Sequence, residues 1–92
     1  MHEMGLAQGI FSTVVDMAGE RPVTRIVVRV GQDQRIASDS LEFSFQLLAE
    51  GTPCEGAALQ CIVVPGVNVL IAEVELGGEP PPVLRRPGAE VV

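Results

Sequence analysis

Apolar residues recur at helical spacing near the start of the chain. The positions i, i+4, i+8 and i+11 predict a helix over residues 3–19 with one apolar stripe. This stripe consists of Leu6, Ile10, Val14 and Met17, widened by Phe11, Val15 and Ala18. Gly19 is expected to end the helix, because glycine readily adopts the left-handed backbone that follows a helix.

A period of two replaces the helical period at Val23–Gly31, which reads VTRIVVRVG. Apolar and charged residues alternate here, as is typical of a strand with one buried face. The side predicted to be buried carries Ile26, Val28 and Val30, and the opposite side carries Arg25 and Arg29.

A second helix is predicted over residues 38–51, SDSLEFSFQLLAEG. Ser38 or Asp39 is expected to cap its start, and Glu42 lies where a capping box places its acidic member. Gly51 is expected to end the helix. The apolar positions share one face: Leu41, Phe45 and Leu48.

Two further strands are predicted before the composition changes. Residues 55–64 are apolar and rich in β-formers, and Pro65-Gly66 interrupts them. Residues 67–76 alternate, and we expect the two strands to form a hairpin. The side predicted to be buried comprises Leu70, Ala72, Val74 and Leu76; Glu73 and Glu75 lie on the other side.

The predicted element order is therefore α-β-α-β-β, an α+β domain in which two helices pack on one face of a three-stranded sheet. From Gly77 onward the chain contains four prolines and three glycines. We expect residues 1–76 to form the domain and residues 77–92 to form a Pro/Gly-rich flexible tail.

Composition narrows the classes of function. The 92 residues carry a net charge of −6, which argues against binding the nucleic-acid backbone. No apolar run approaches the ~18 residues of a membrane span, and no signal peptide is recognised because Glu3 and Asp16 interrupt the first apolar stretch. Cys54 and Cys61 lack C-x-x-C spacing, so we predict a cytoplasmic protein with reduced thiols.

The chemistry-bearing feature is the first three residues, Met-His-Glu, which include the single histidine. A terminal amine, the amide nitrogen of residue 2 and the imidazole of His2 can close two small chelate rings on one ion. Such nitrogen-rich, near-planar sites favour Ni(II) or Cu(II) over Zn(II). Ligation requires deprotonated groups, so the site should fill as the pH rises through neutrality.

Taken alone, a histidine near a chain terminus more often has no role than a metal-binding one. No second histidine, nucleophile elbow or phosphate-binding glycine loop indicates an enzyme. A metal carrier and a metal-free interaction module therefore both remain open.

Several segments together resemble the HypA/HybF family of nickel-insertion accessory proteins for [NiFe] hydrogenases and, in some organisms, urease. The resemblance covers roughly residues 1–76. It rests on MHEM-x-LA at the start, VTRIVVRVG, SLEFSF, GTPCEGA and LIAEVEL, in that order.

The resemblance implies that Ni(II) is held by the Met1 amine, the backbone and imidazole of His2, and the backbone of Glu3. It also implies a non-catalytic metallochaperone whose partners are the nickel-insertion GTPase and the hydrogenase large subunit. No nucleic-acid or membrane partner is expected, and the oligomeric state is left open, with a homodimer among the alternatives.

The chain departs from the family at the zinc domain, where members carry two C-x-x-C pairs. These pairs are missing, so zinc is expected to be absent. We prefer a deletion at Pro65-Gly66. The rival alignment is a decayed domain, with Ile71 and Val74, and Leu84 and Pro87, at the former cysteine spacing. The departure favours the alternative function, a degenerate paralogue that binds proteins and not metal.

Overall fold

The computed structural model describes residues 2–78 and 89–90, with side-chain environments for residues 3–78. The elements run in the predicted order. They are α1 His2–Ala18, β1 Val23–Gly31, a 3-10 turn at Gln32–Gln34, α2 Ser38–Ala49, β2 Ala58–Val64, β3 Val69–Leu76 and the two-residue strand β4 Ala89–Glu90.

The α+β prediction is confirmed: two helices cover one face of a mixed sheet. Strand order is β2-β1-β3-β4, with β1 parallel to β2 and antiparallel to β3. β4 extends the predicted three strands by pairing with Leu70 and Ile71 of β3. α1 packs on α2 and β3, and α2 packs on β2.

The predicted hairpin between the last two long strands is wrong, because β2 and β3 lie on opposite sides of β1. The helix α2 connects β1 to β2 as a parallel crossover, which brings α2 over the sheet. The connection of residues 65–68 then passes over the end of β1. There the Gly31 N–H donates to the Asn68 carbonyl (2.8 Å), and the Asp33 N–H donates to the Gly66 carbonyl (2.9 Å).

Gly31 permits this crossing. A Cβ atom at this position would lie 2.6 Å from the carbonyl carbon of Gly66 and 2.7 Å from the nitrogen of Val67. Both are backbone atoms, which cannot move aside as the end of a flexible side chain can. The connection therefore rests directly on the last residue of β1.

The predicted buried side of β3 is partly wrong. Val27 of β1 pairs with Glu73, whereas Val28 pairs with Ile71, so Ala72 is an extra residue in the ladder. Such a bulge reverses which side chains face the core. The fully or nearly fully buried residues of β3 are Val69, Ile71 and Val74, in place of Leu70 and Ala72.

The core lies between the helices and the sheet and confirms the predicted stripes of α1, α2 and β1. Phe45 is completely buried, and its ring meets Phe11 edge-on with centroids 6.2 Å apart. Four members of the predicted stripes are only partly buried and pack against the edge of this core: Phe11, Val15, Met17 and Leu48. The helices contribute Leu6, Ala7, Ile10, Val14, Ala18, Leu41, Phe45 and Ala49 to the buried cluster.

Both helices are followed by a glycine with positive φ, as predicted: 66° at Gly19 and 76° at Gly51. The predicted capping box of α2 is wrong. The helix begins at Ser38, and its cap is therefore Ala37, which offers no side-chain acceptor. The Ala37 N–H instead donates to the Glu3 carboxylate of α1 in a long hydrogen bond of 3.4 Å.

The start of the predicted tail is tied to the domain. The Gly77 N–H donates to the Pro22 carbonyl (2.8 Å), and the Arg21 guanidinium donates to the Gly77 carbonyl (2.7 Å). Residues 79–88 and 91–92 lie outside the described residues, so the prediction of a flexible tail stays a prediction. Within the described ranges, no helix is long and apolar enough to cross a membrane.

Candidate metal centre at the amino terminus

The predicted metal-binding residues lie at the start of α1. Met1 lies outside the described residues, and His2 is described only as the first residue of the helix. Glu3 is half-buried in the first turn. The structure thus places two of the three predicted residues on the backbone of one helical turn.

A helix that begins at His2 leaves the backbone N–H groups of His2 and Glu3 without intrahelical acceptors, as in the first turn of any α-helix. A peptide nitrogen must lose its proton to bind a metal, and a nitrogen already donating within a helix is unsuited to that. The amides at this helix start are therefore the ones that can serve as ligands. The helix dipole opposes a cation here, but the negative charge of deprotonated amides offsets it.

The Glu3 carboxylate has a structural partner. Its Oε2 accepts the Ala37 N–H at 3.4 Å and so links the first turn of α1 to the turn before α2. An acidic side chain in the first turn is also favourable to the helix dipole. This contact gives the carboxylate a role in positioning the helix start that needs no metal.

An apolar groove of about 410 Å³ lies beside this end of α1. Phe43 is 61% exposed and Leu47 is 48% exposed, and both project from α2 toward solvent. The lining residues are Met4, Asp39, Ser40, Phe43, Ser44 and Leu47. Met4 of α1 is half-buried and lines this groove from the other helix. The i, i+4 spacing of Phe43 and Leu47, off the predicted buried face of α2, was the signal that could have found it.

Cys54 and Cys61 are both free thiols in the structure. Cys54 is buried and Cys61 is half-buried, and neither is disulfide-bonded. Burial raises the pKa of Cys54. Burial raises the pKa of Cys61 to about 11, the nearby Glu42 carboxylate adds to this shift, and a hydrogen bond with Ser38 opposes it. Neither thiol is therefore poised to be a thiolate at neutral pH.

One arginine bridges two carboxylates on the helix-free face of the sheet. The Arg25 guanidinium bridges Glu73 (3.1 Å) and Glu75 (3.0 Å) and donates to the Gln60 side chain (3.1 Å). These contacts raise the pKa of Arg25, with the Glu75 hydrogen bond as the largest cause. Among residues 3–78, no three His, Cys, Asp or Glu side chains cluster in a way that could hold a metal.

The chain matches the family model described as "Hydrogenase/urease nickel incorporation, metallochaperone, hypA" over residues 1–69. The matched segment contains both helices, β1 and β2, and ends at the first residue of β3.

Curated relatives named "Hydrogenase maturation factor HypA" match the same part of the chain. The protein of Trichodesmium erythraeum is 36% identical over 68 residues, which cover 74% of this chain and 60% of the relative. That of Rippkaea orientalis is 39% identical over 66 residues, covering 72% and 58%. That of Paracoccus denitrificans is 39% identical over 69 residues, covering 72% and 61%. The chain thus spans about three fifths of the length of these relatives.

Proposed function

The chain belongs to the HypA family of hydrogenase and urease nickel-incorporation metallochaperones, and from this premise we propose that it carries Ni(II) on its first three residues. The ligands are the Met1 amine, the amide and imidazole nitrogens of His2, and the backbone of Glu3. Ni(II) is the cargo in this proposal, so the chain needs to bind and release the ion and has no catalytic step.

The observation that supports this site is the start of α1 at His2. It leaves the amides of residues 2 and 3 free of helical hydrogen bonds. Amine, amide and imidazole nitrogens on adjacent positions favour a near-planar geometry, which suits Ni(II) better than the tetrahedral preference of Zn(II). The Glu3 side chain takes no part in ligation, which agrees with its contact to Ala37.

We propose by family membership that the chain delivers nickel to the maturation of a [NiFe] hydrogenase, with urease as the other recipient. The nickel-insertion GTPase and the hydrogenase large subunit are the proposed partners. A cytoplasmic location and the absence of enzymatic activity belong to the same proposal.

We further propose that the chain does not hold structural zinc. Ile71 and Val74, which the decayed-domain alignment places at former cysteine positions, are buried strand residues of β3. Their place in the sheet supports deletion between β2 and β3. Metal analysis of protein purified without added metal should find no stoichiometric zinc, and zinc that survives chelation would overturn this reading.

Calorimetric titration with Ni(II) tests the site on tag-free protein that begins at Met1. His2→Ala removes the imidazole, and a three-residue N-terminal extension converts the amine to a peptide amide, so each should abolish stoichiometric binding. The same three residues added after Val92 serve as the matched control and should leave binding intact. Circular dichroism should show the same fold in all of these proteins, because no residue of the core is altered.

Glu3→Ala separates ligation from structure. This variant should retain stoichiometric nickel binding. Its unfolding free energy should fall by about 0.5–1.5 kcal/mol, the net contribution of one hydrogen bond such as that between Ala37 and Glu3. If the N-terminally extended protein binds nickel as tightly as the native chain, the amine is not a ligand. If the native chain binds none, the function is better described as a metal-free interaction module.

A further inference from the structure

One stripe of α2 carries an apolar pair with an acidic residue at each end. Asp39, Phe43, Leu47 and Glu50 follow one another at intervals of four, four and three residues, with Glu50 as the cap after the last turn. Residues at such intervals are neighbours on one helix face. All four are exposed, Phe43 at 61% and Leu47 at 48%. The stripe is roughly 16 Å long, because a helix rises about 1.5 Å per residue.

The apolar pair opens into the groove between the two helices. Phe43 and Leu47 line this groove of about 410 Å³ together with Met4 of α1. Ser40 and Ser44 also line it, and their short side chains let another chain approach the backbone of α2 closely. An elongated apolar groove between helices is a shape that accepts the apolar face of one further helix.

Both helices carry negative charge without positive charge. α1 contains Glu3 and Asp16, α2 contains Asp39 and Glu42, and neither helix contains lysine or arginine. Among residues 3–78 the only ion pairs are those of Arg25, which lie on the helix-free face of the sheet. The acidic residues around the groove are therefore not neutralised by the rest of the described domain, and they attract cations.

We propose that this groove docks a basic amphipathic helix of a partner protein. Two apolar side chains of that helix enter the groove and bury Phe43 and Leu47. A lysine or arginine about one turn beyond each end of its apolar pair meets Asp39 at one end and Glu50 at the other. Packing of an amphipathic helix into a groove is a recurrent mode of recognition, and the charged ends fix its register.

Charge selects this occupant over the alternatives. A second copy of the chain would place further carboxylates against Asp39 and Glu50, because each chain carries a net charge of −6 and its helices have no lysine or arginine. A nucleic acid or an anionic lipid surface would meet the same repulsion. A cationic helix gains attraction at both ends and apolar burial between them.

The groove lies beside the proposed nickel site. Met4 follows His2 and Glu3 in the first turn of α1, so a helix docked on Met4 lies next to the residues proposed to hold the ion. A partner held there is placed to receive the nickel, and this use of the surface rests on the proposed function. Docking itself involves none of the proposed ligands and is measurable on the metal-free chain.

Fluorescence anisotropy of a labelled synthetic peptide tests the docking on the metal-free full chain. The peptide is an end-capped alanine-glutamine helix with lysine, leucine, leucine and lysine at positions i, i+4, i+8 and i+11. It should bind more weakly as the salt concentration rises, because salt screens the lysine–carboxylate pairs. A matched peptide with glutamate in place of both lysines should bind at least roughly tenfold more weakly, because like charges then meet.

Two pairs of variants locate the contact. Leu47→Ser should weaken binding of the lysine peptide by roughly tenfold or more, because docking buries this leucine. Ile62→Ser is its control, since Ile62 is similarly exposed at 43% but lies on β2, and binding should be unchanged. Asp39→Asn should weaken binding about two- to fivefold, as expected for an exposed ion pair. Asp16→Asn, on α1 outside the groove lining, should not.

Three results would overturn the proposal. The lysine peptide does not bind at ~1 mM, the glutamate peptide binds equally well, or Leu47→Ser and Ile62→Ser lose binding equally. Circular dichroism of each variant verifies that the fold is retained. If the lysine peptide docks as described while the native chain binds no Ni(II), the docking surface stands and the proposed nickel function fails.

Discussion

Replacing Gly31 by alanine should destabilise the domain although alanine fits the local backbone. Gly31 has φ −62° and ψ 131°, a conformation open to any residue. The added methyl group, however, would lie within 2.6–2.7 Å of backbone atoms of Gly66 and Val67. Either the connection between β2 and β3 lifts off β1, or β1 shifts in the sheet.

The magnitude follows from three contributions. Overpacking against atoms that cannot move aside costs about 1–3 kcal/mol. Lifting the connection weakens the bonds from Gly31 to Asn68 and from Asp33 to Gly66, at about 0.5–1.5 kcal/mol each. Alanine also lowers the conformational entropy of the unfolded chain relative to glycine, and this stabilises the folded domain by about 0.4–1 kcal/mol. The midpoints of these ranges combine to a net loss of about 3 kcal/mol, a large share of the ~5–14 kcal/mol expected for a chain of this size.

Urea unfolding followed by circular dichroism measures this loss. Gly5→Ala is the matched control, because Gly5 lies in α1 with no atom within 4 Å of an added Cβ. That variant should gain about 0.5–1 kcal/mol, the difference between glycine and alanine in a helix. If Gly31→Ala unfolds within ~0.5 kcal/mol of the native chain, the connection does not rest on Gly31 as described.

Phe45→Ala should lower the unfolding free energy by about 3–5 kcal/mol and Phe43→Ala by less than ~1 kcal/mol, because Phe45 is fully buried and Phe43 is 61% exposed; equal urea midpoints would contradict this. A chain ending after Gly78 should be about 1–2 kcal/mol more stable than one ending after Leu76, because it keeps the two hydrogen bonds that Gly77 makes with Pro22 and Arg21. Thermal unfolding of the two truncated chains measures this difference. The unfolding free energy should fall as the pH rises from 9 toward 11, because the unfolded thiol of Cys61 loses its proton before the folded one does. Alkaline urea titrations should show a smaller decline for Cys61→Ala, and an unchanged decline would refute this assignment.

The strand β1 could be predicted to the residue because its two faces differ in chemistry. Ile26, Val28 and Val30 share one side and Arg25 and Arg29 the other, so only one register buries three aliphatic side chains without burying an arginine. Val27 lies on the arginine side and is buried as well. In β3 the residues from Val69 to Ala72 are all apolar, and neither parity stands out. The bulge at Ala72 therefore left no trace in the alternation, and the predicted buried side was wrong over the first half of the strand.

The hairpin was predicted because a short Pro-Gly connection ordinarily joins neighbouring strands. The connection can also step across the end of a third strand when that end is a glycine. Gly31 is the residue that permits this path, but the reason is its close contact with backbone atoms more than 30 positions away in the sequence. The sequence pattern alone does not distinguish the two paths.

Some features of the candidate site could be predicted from the sequence, and others depend on tertiary packing. The Met-His-Glu start could be found from the sequence, because its chemistry depends on adjacent positions in the chain. The contact of Glu3 with Ala37 and the groove lined by Phe43 depend on how α1 and α2 meet. Such features need the packed domain.

The connection over Gly31 also makes the fold modular. Residues 65–68 are exposed, and the strands on either side of them are held by β1 and not by each other. A folded unit spliced in or out at this point changes the length of one surface path and leaves the helices, β1 and the amino terminus in place. A lineage could therefore gain or shed a zinc module here in one genetic event, and a designer could graft a reporter domain at the same junction.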